Sequence, residues 1–261
     1  MPETLLLAGA AVFLYMTILF VVATVIKNNS IADVGWGGGF IIVALITFFH
    51  EGRHDLRQTV TTMMVVAWGL RLGIHLYLRS RGKPEDRRYV KWRENWGKWA
   101  VPRAFIHVFL AQGALLLLIS YPVILINTAP GPELTAADAL GFALWIAGFA
   151  LETLADRQLA DFRRDPSNRG KICQEGLWKY SRHPNYFGEA LTWWGIYLVA
   201  LPVPGGWKAV FSPLIITLLL RYVSGVPLLE AQMSTRAGYE EYRRRTPVFI
   251  PGLPLSRRDS K

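Results

Sequence analysis

The sequence predicts an all-α fold, a polytopic bundle of about seven membrane-spanning helices that forms a single membrane domain over residues 1–261. Of the 261 residues, 52% are hydrophobic and 18% are charged, whereas soluble domains carry about 25% charged residues. The apolar residues also form long runs, each near the ~17 to 25 residues that a helix needs to cross the hydrocarbon core. The expected spans are residues 5–26, 32–49, 60–78, 104–126, 136–155, 186–201 and 207–222, followed by a tail at 223–261.

The distribution of basic residues predicts the orientation of the chain. The formal net charge is +10, and most lysines and arginines fall in residues 79–103, 157–182 and 221–261, which a seven-span arrangement places on one side. Because basic loops stay in the cytoplasm, we expect the amino terminus outside and the carboxyl terminus inside. Topology thus explains the charge, and we expect no nucleic-acid partner. The membrane is either a bacterial inner membrane or the endoplasmic reticulum.

The first two spans are interpreted as structural helices. No basic residue precedes the first span, which is longer than the ~7 to 15 apolar residues of a signal-peptide core, so we expect a retained helix. In the second span, "GWGGGF" at 35–40 loosely matches a dinucleotide-binding glycine loop, but Phe40 fills the third glycine position and no βαβ unit surrounds it. Close helix packing through small residues is the favoured interpretation.

The segment "HEGRH" at 50–54 matches the H-E-x-x-H pattern, in which two histidines on one continuous helix bind zinc. Gly52 interrupts this segment, which also ends an apolar run, and no third ligand is evident. We therefore favour a solvated outer loop over a zinc peptidase and expect no metal site. The single cysteine, Cys173, excludes an intrachain disulfide and a cysteine-rich metal site.

Three ionisable residues recur every four positions in the third span. Arg71, His75 and Arg79 therefore share one helical face. Ionisable groups at this depth normally face a cavity and mark a functional path. This pattern favours a function for Arg71 and His75, whereas Arg79 could equally extend to the membrane interface.

Acidic, basic and amide side chains cluster in three segments of the predicted cytoplasmic face. In "LETLADRQLADFRRDP", Glu152 and Asp156 lie one helical turn apart. Carboxylates can bind ribose hydroxyls while arginines bind phosphates, although a salt-bridge cluster at the helix end is the alternative. "RHPNYFGE" at 182–189 and the segment at 230–254 reach the same face, and Pro184 can begin a helix whose amino terminus favours anions. Together they predict a site for a phosphate-bearing cofactor.

"ADRQLADFRRDP", "GLWKYSRHPNYFGE" and "YEEYRRRTPVFIP", in this order, resemble the carboxyl-terminal domain of the steroid 5α-reductase family and are also similar to the sterol C14 and C7 reductases. The resemblance covers roughly the last 110 residues, whereas the first 100 or so match in the pattern of spans and in "RSRGKPEDRRY". It implies NADPH-dependent reduction of the Δ4 double bond of a lipophilic 3-oxo-steroid. It implies cofactor contacts by Asn185, Asp156, Arg163, Tyr186, Glu189, Tyr242, Arg245, Arg79 and Lys83, and the residue pattern adds Glu152 and Arg164.

The expected chemistry requires a proton donor near the substrate carbonyl. An enone accepts hydride at its β carbon only as negative charge moves to the carbonyl oxygen, so a hydrogen-bond donor must face that oxygen. The resemblance implies a carboxyl group from the second span with a tyrosine from the third. In this chain the candidates are Asp33 with Tyr77 or His75. If Asp33 is the acid, a largely apolar cavity would have to keep it protonated.

Two other functions remain open from the sequence. A membrane methyltransferase of the isoprenylcysteine or phospholipid type also carries an "RHP-x-Y" segment and binds S-adenosylmethionine, but it does not need Arg163 and Arg164. A non-catalytic protein could bind anionic headgroups of membrane lipids, but this leaves Glu152, Asp156 and Glu189 without a role. We expect a monomer.

Overall fold

Eleven α-helices make up most of the chain that the computed structural model describes, residues 2–51 and 53–253. These residues contain no β-strand, which confirms the predicted all-α class. Short 3₁₀ and π segments extend several helices, and one π segment, Phe105–Leu110, joins α5 to α6. The helices are α1 (Pro2–Ile26), α2 (Ile31–Glu51), α3 (Leu56–Ser80), α4 (Arg87–Trp96), α5 (Ala100–Ala104), α6 (Ala111–Thr128), α7 (Ala136–Arg164), α8 (Pro184–Ala200), α9 (Phe211–Leu218), α10 (Val226–Met233) and α11 (Tyr239–Arg245).

The protein is a multi-pass integral membrane protein, as predicted. The seventh expected span, residues 186–201, coincides with α8, whose 17 residues extend about 26 Å at 1.5 Å per residue. That crossing and the orientation of the termini stay predictions. Within the described residues, six helical stretches are long and apolar enough to cross a membrane: Pro2–Ile26, Ile31–Glu51, Leu56–Ser80, Arg87–Thr128, Ala136–Arg164 and Gly206–Met233.

The chain forms two compact units. The first contains Met1–Thr135 and Val199–Ala209, and the second contains Ala136–Leu198 and Val210–Lys261. The sequence predicted a single membrane domain and did not predict this division into two units.

Glycines bring α2 and α3 together in the first unit. A Cβ atom added at Gly69 would lie 2.7 Å from the carbonyl oxygen of Gly37, and one added at Gly37 would meet the backbone of Gly69 even more closely. Gly39 leaves space for the side chain of Leu116 on α6 in the same way. Because small residues let membrane helices approach each other closely, the packing interpretation of "GWGGGF" is confirmed.

The "HEGRH" segment does not form one continuous helix in the described residues. His50 and Glu51 end α2, His54 lies in the following turn with a positive φ of 52°, and α3 begins at Leu56. Gly52 lies outside the described residues. The two histidines therefore lack the common helical face that a zinc site of this pattern requires. The described part of the chain contains no group of three His, Cys, Asp or Glu side chains that could hold a metal ion.

Glycines also set the crossing of α7 and α8 in the second unit. A Cβ atom at Gly195 would lie 2.7 Å from the carbonyl oxygen of Gly141, and a Cβ atom at Gly188 would lie 2.6 Å from the backbone nitrogen of Glu152. The backbones of the two helices are therefore in direct contact. α7 is longer than the predicted span and continues to Arg164 as an exposed polar helix.

Candidate functional site

Asn185 and Asp156 are joined by a hydrogen bond between α8 and α7. Nδ2 of Asn185, in the first turn of α8, donates to Oδ1 of Asp156 at 3.0 Å. Asp156 is 8% exposed, whereas Asn185 is half-buried. The sequence placed these residues in two separate motifs, and the close contact of the two helices brings them together.

The second polar atom of the Asn185 amide is a buried acceptor. Within the described residues, Oδ1 of Asn185 has no hydrogen-bond partner in the protein. Because Nδ2 donates to Asp156, the orientation of the amide follows from the hydrogen-bond network. Buried polar atoms normally have a partner, so this oxygen is suited to accept a hydrogen bond from a bound ligand.

Two further carboxylates flank this pair on the same helices. Glu152 lies one turn before Asp156 on α7, and Glu189 lies one turn after Asn185 on α8. Both are buried, at 2% and 7% exposure. Residues four apart share one face of a helix. The structure therefore places all three predicted carboxylates on buried faces near the start of α8.

Arg182 and His183 bind Glu230 on α10. Nη1 of Arg182 donates to Oε2 of Glu230 at 3.0 Å, and Nε2 of His183 lies 3.2 Å from Oε1. Burial lowers the pKa of His183 below its usual 6.5 and outweighs the opposing hydrogen bond to Glu230. The imidazole is therefore neutral at pH 7. These three residues lie in the sequence motifs, but the sequence predicted no role for any of them.

Tyr242 holds the segment that precedes α8. Its hydroxyl donates to the carbonyl oxygen of Trp178 at 2.6 Å, and the residue is 4% exposed. Burial raises the pKa of this phenol. In the same segment, Oγ of Ser181 donates to the carbonyl oxygen of Phe249 at 2.8 Å. In this structure the Tyr242 hydroxyl binds the protein backbone, and the expectation that Tyr242 contacts a cofactor stays a prediction.

The predicted phosphate-binding arginines lie at the surface. Arg163 and Arg164 end α7 as exposed residues, and Nη1 of Arg164 contacts Oδ1 of Asp161 at 3.1 Å. Nη2 of Arg245 on α11 lies 3.3 Å from Oε1 of Glu241. Surface ion pairs contribute little stability. These guanidinium groups can therefore exchange their present partners for a phosphate at low cost.

Asp33 lies in a charged and polar environment within the first unit. Nη2 of Arg88 donates to Oδ2 of Asp33 at 2.8 Å, and the Tyr89 hydroxyl donates to Oδ1 at 2.7 Å. Nε2 of Gln112 lies 3.5 Å from the same oxygen. These surroundings are not the largely apolar cavity that a protonated Asp33 would need, because α4, which the hydropathy pattern did not predict, supplies both Arg88 and Tyr89. The role of Asp33 as the acid stays a prediction.

The other residues predicted from the third span belong to α3 and the turn after it. Tyr77 is 54% exposed, Arg79 and Lys83 are exposed, and His75 is half-buried. All of them belong to the first compact unit, whereas the carboxylates, Asn185 and Glu230 belong to the second. The sequence predicted no role for Arg88 and Tyr89, which lie beside Asp33. It also predicted none for Arg182 and His183, which precede α8 and bind Glu230.

The fold defines a multi-pass helical membrane protein, and a cluster of buried polar side chains lies at the start of α8. The chain belongs to the family described as "Protein of unknown function (DUF1295)", whose sequence profile matches residues 19–246. No solved structure matches the chain significantly.

Three curated relatives extend this result. The chain is 28% identical over 214 residues to an uncharacterized protein of Schizosaccharomyces pombe, covering 71% of this chain and 61% of the relative. It is 30% identical over 114 residues to human 3-oxo-5-alpha-steroid 4-dehydrogenase 1, covering 44% and 41%. The Macaca fascicularis protein of the same name is 36% identical over 73 residues, or 28% of each chain. The matches thus span less than two thirds of each relative, and the resemblance to the steroid 5α-reductase family is confirmed.

Proposed function

We propose that this protein is an NADPH-dependent reductase that reduces the Δ4 double bond of a 3-oxo-steroid. The observation that carries the proposal is the Asn185 amide, whose Nδ2 is fixed on Asp156 and whose buried Oδ1 is suited to a ligand donor. The names of the mammalian relatives, 3-oxo-5-alpha-steroid 4-dehydrogenase 1, support the substrate class and the reaction.

The residues around α8 fit a dinucleotide cofactor. Oδ1 of Asn185 can accept a hydrogen bond from an amide, and the carboxylates of Glu152 and Asp156 are suited to ribose hydroxyls. Arg163 and Arg164 can bind phosphates with charge-assisted hydrogen bonds. NADPH would supply the hydride for reduction, and the residues of this chain would hold the cofactor in place.

The substrate carbonyl also needs a hydrogen-bond donor, because negative charge reaches its oxygen as hydride is added to the β carbon. Asp33, His75 and Tyr77 are the donors proposed from the sequence. The contacts of Asp33 add Tyr89, whose hydroxyl carries a proton and lies 2.7 Å from the Asp33 carboxylate. Both oxygens of the Asp33 carboxylate accept hydrogen bonds, so in this arrangement Asp33 positions the Tyr89 hydroxyl. To deliver a proton itself, Asp33 would have to leave Arg88 and gain a proton.

The proposed topology has its amino terminus outside and its carboxyl terminus in the cytoplasm. This orientation gives the start of α8 access to cytoplasmic NADPH, and it follows the distribution of lysines and arginines. We propose that the protein acts as a monomer in contact with membrane lipids.

Binding of the candidate cofactors to the purified protein in mild detergent tests the proposal. NADPH, NADH and S-adenosylmethionine are titrated separately with wild type, Arg163→Ala and the control Arg169→Ala, which removes an exposed arginine outside the predicted cofactor set. Tighter binding of NADPH than of NADH, weakened by Arg163→Ala and not by the control, supports the reductase. Binding of S-adenosylmethionine alone would support methyl transfer, and saturable binding of none of the three would support lipid binding.

Product analysis then tests the reaction. A 3-oxo-Δ4-steroid incubated with NADPH that carries deuterium at both hydrogen positions of the nicotinamide C4 should gain one deuterium at the enone β carbon, detected by mass spectrometry. A product without deuterium would contradict direct hydride transfer.

A further inference from the structure

His183 presents a buried nitrogen that the proposed cofactor contacts do not use. The residue is 4% exposed, and its Nε2 lies 3.2 Å from Oε1 of Glu230. A carboxylate oxygen only accepts hydrogen bonds. Nε2 therefore carries the proton, and Nδ1 of the neutral ring is an acceptor. In the described part of the chain, Nδ1 has no hydrogen-bond partner.

Several contacts hold the imidazole in this orientation. Arg182 binds the other oxygen of Glu230 at 3.0 Å, which fixes the carboxylate. The ring of Tyr186 stacks on His183 with 5.7 Å between ring centroids and 8° between the ring planes. The backbone N–H of His183 donates to Oγ of Ser181 at 3.1 Å. The position of Nδ1 is therefore set by contacts on three sides of the residue.

Two buried acceptors without a protein partner thus lie two residues apart at the start of α8: Nδ1 of His183 and Oδ1 of Asn185. The nearby carboxylates would attract a cation wherever these two acceptors pointed, so the acceptors themselves do not indicate a cation. Two neutral acceptors instead match a neutral group that carries two N–H donors. A primary carboxamide is such a group, and the nicotinamide ring carries one.

We propose that His183 is a further cofactor-binding residue, whose Nδ1 accepts a hydrogen bond from the carboxamide N–H of the bound nicotinamide beside Oδ1 of Asn185. Glu230 is a positioning residue that keeps the proton on Nε2. This inference rests on the proposed function, because it requires a nicotinamide cofactor.

The test compares NADPH with its 3-acetylpyridine analogue, also in the reduced form. In this analogue a methyl group replaces the carboxamide nitrogen, which removes both N–H donors. His183→Gln keeps an amide that can reach Glu230 but lacks an acceptor at the Nδ1 position. His183→Asn places amide atoms near the Nδ1 position. Dissociation constants are measured for both ligands with the full-length protein in detergent, and thermal unfolding checks that each variant is folded.

We expect wild type to prefer NADPH over the analogue, and His183→Gln to weaken NADPH binding about tenfold, the effect of losing one hydrogen bond, without changing binding of the analogue. His183→Asn should retain most of the preference for NADPH over the analogue, and Glu230→Gln should reduce this preference. Equal effects of His183→Gln on both ligands, or no effect on either, would overturn the role of His183 while leaving the reductase intact. If wild type binds neither ligand, the proposed function itself fails, and this inference fails with it.

Discussion

Gly148 on α7 and Gly188 on α8 are in reciprocal backbone contact. A Cβ atom at Gly148 would lie 2.7 Å from the carbonyl oxygen of Gly188, and a Cβ atom at Gly188 would lie 2.7 Å from the carbonyl oxygen of Gly148. This contact lies one turn from Glu152 on α7 and three residues after Asn185 on α8. The position of the polar cluster therefore depends on Gly148 and Gly188, although neither glycine has a polar side chain.

Gly188→Ala should destabilise the protein by about 1 to 3 kcal/mol, because overpacking forces backbone shifts. It should also weaken NADPH binding by moving Asn185 away from Asp156. Thermal unfolding and a cofactor titration measure the two effects. The matched control is Gly9→Ala on α1, where an added Cβ atom meets nothing within 4 Å. Equal unfolding temperatures for wild type and Gly188→Ala would show that the helices separate without cost.

Asn185→Asp should abolish the side-chain hydrogen bond between α8 and α7. It places a second carboxylate about 3 Å from Asp156, where like charges repel, and it removes the N–H donor. Asn185→Ala loses the same hydrogen bond without adding charge, so it should weaken NADPH binding by about tenfold or more, and the aspartate variant more strongly. Dissociation constants measured for folded variants decide the outcome. Equal affinity of wild type and Asn185→Ala would remove Asn185 from the cofactor site.

Tyr242→Phe distinguishes a structural role from a cofactor contact. Loss of the buried hydrogen bond to the Trp178 carbonyl should cost about 1 to 3 kcal/mol of stability. NADPH affinity should change much less, because the hydroxyl binds the protein backbone. Denaturant unfolding and a cofactor titration give the two values. A large loss of NADPH affinity at unchanged stability would support the cofactor contact that the sequence predicted for Tyr242.

Hydropathy predicted the helices well but not the local environment of the site. The run at 32–49 corresponds to Ile31–Glu51, because a membrane helix must be apolar along its length. By contrast, "RRYVKWRENW" has no apolar run, so α4 was taken as part of a basic loop and its contacts with Asp33 were missed. A polar helix of this kind is recognised only in the structure, where its side chains bind a neighbouring helix.

The motifs predicted that polar residues of the second unit share one face of the membrane, but not which of them are paired. Asn185 and Asp156 lie 29 residues apart, and no periodicity relates positions on two different helices. One signal was present in the sequence: Gly141 and Gly148 on α7, and Gly188 and Gly195 on α8, are spaced by seven residues, which is two helical turns. This spacing marks the face on which the two helices meet.

Asp33→Asn should lower the rate of steroid reduction by about tenfold or more while leaving NADPH affinity unchanged. Asp33 positions the Tyr89 hydroxyl or, once it has left Arg88 and gained a proton, donates that proton itself. Steady-state kinetics and a cofactor titration measure the two quantities, and Tyr89→Phe tells the two roles apart. Glu85→Gln is the control, because Glu85 binds Arg93 of α4 at 2.7 Å and so also holds this helix. Full turnover by Asp33→Leu would exclude Asp33 from the reaction.

The stability of the protein should fall as the pH falls through the normal titration range of histidine. The pKa of His183 is lowered from 6.5 because burial disfavours the imidazolium; Glu230 opposes this shift, while Arg182 and Arg221 add to it. Above pH ~6.5 the imidazole is neutral in both the folded and the unfolded state, so the stability contribution is fully present there. Below that pH the unfolded chain binds a proton first, and the contribution is lost as the pH falls toward the folded-state pKa.

Unfolding temperatures of wild type and His183→Gln between about pH 8 and pH 5 test this prediction. Subtracting the two curves removes the titration of groups that both proteins share, including Glu230. We expect the wild-type temperature to fall more steeply below pH ~6.5, because only the wild type has an imidazole at this position that binds a proton more readily in the unfolded chain than in the folded one. Parallel curves would mean that His183 titrates alike in the folded and unfolded chains. The neutral Nδ1 acceptor would then have to be demonstrated by ligand binding alone.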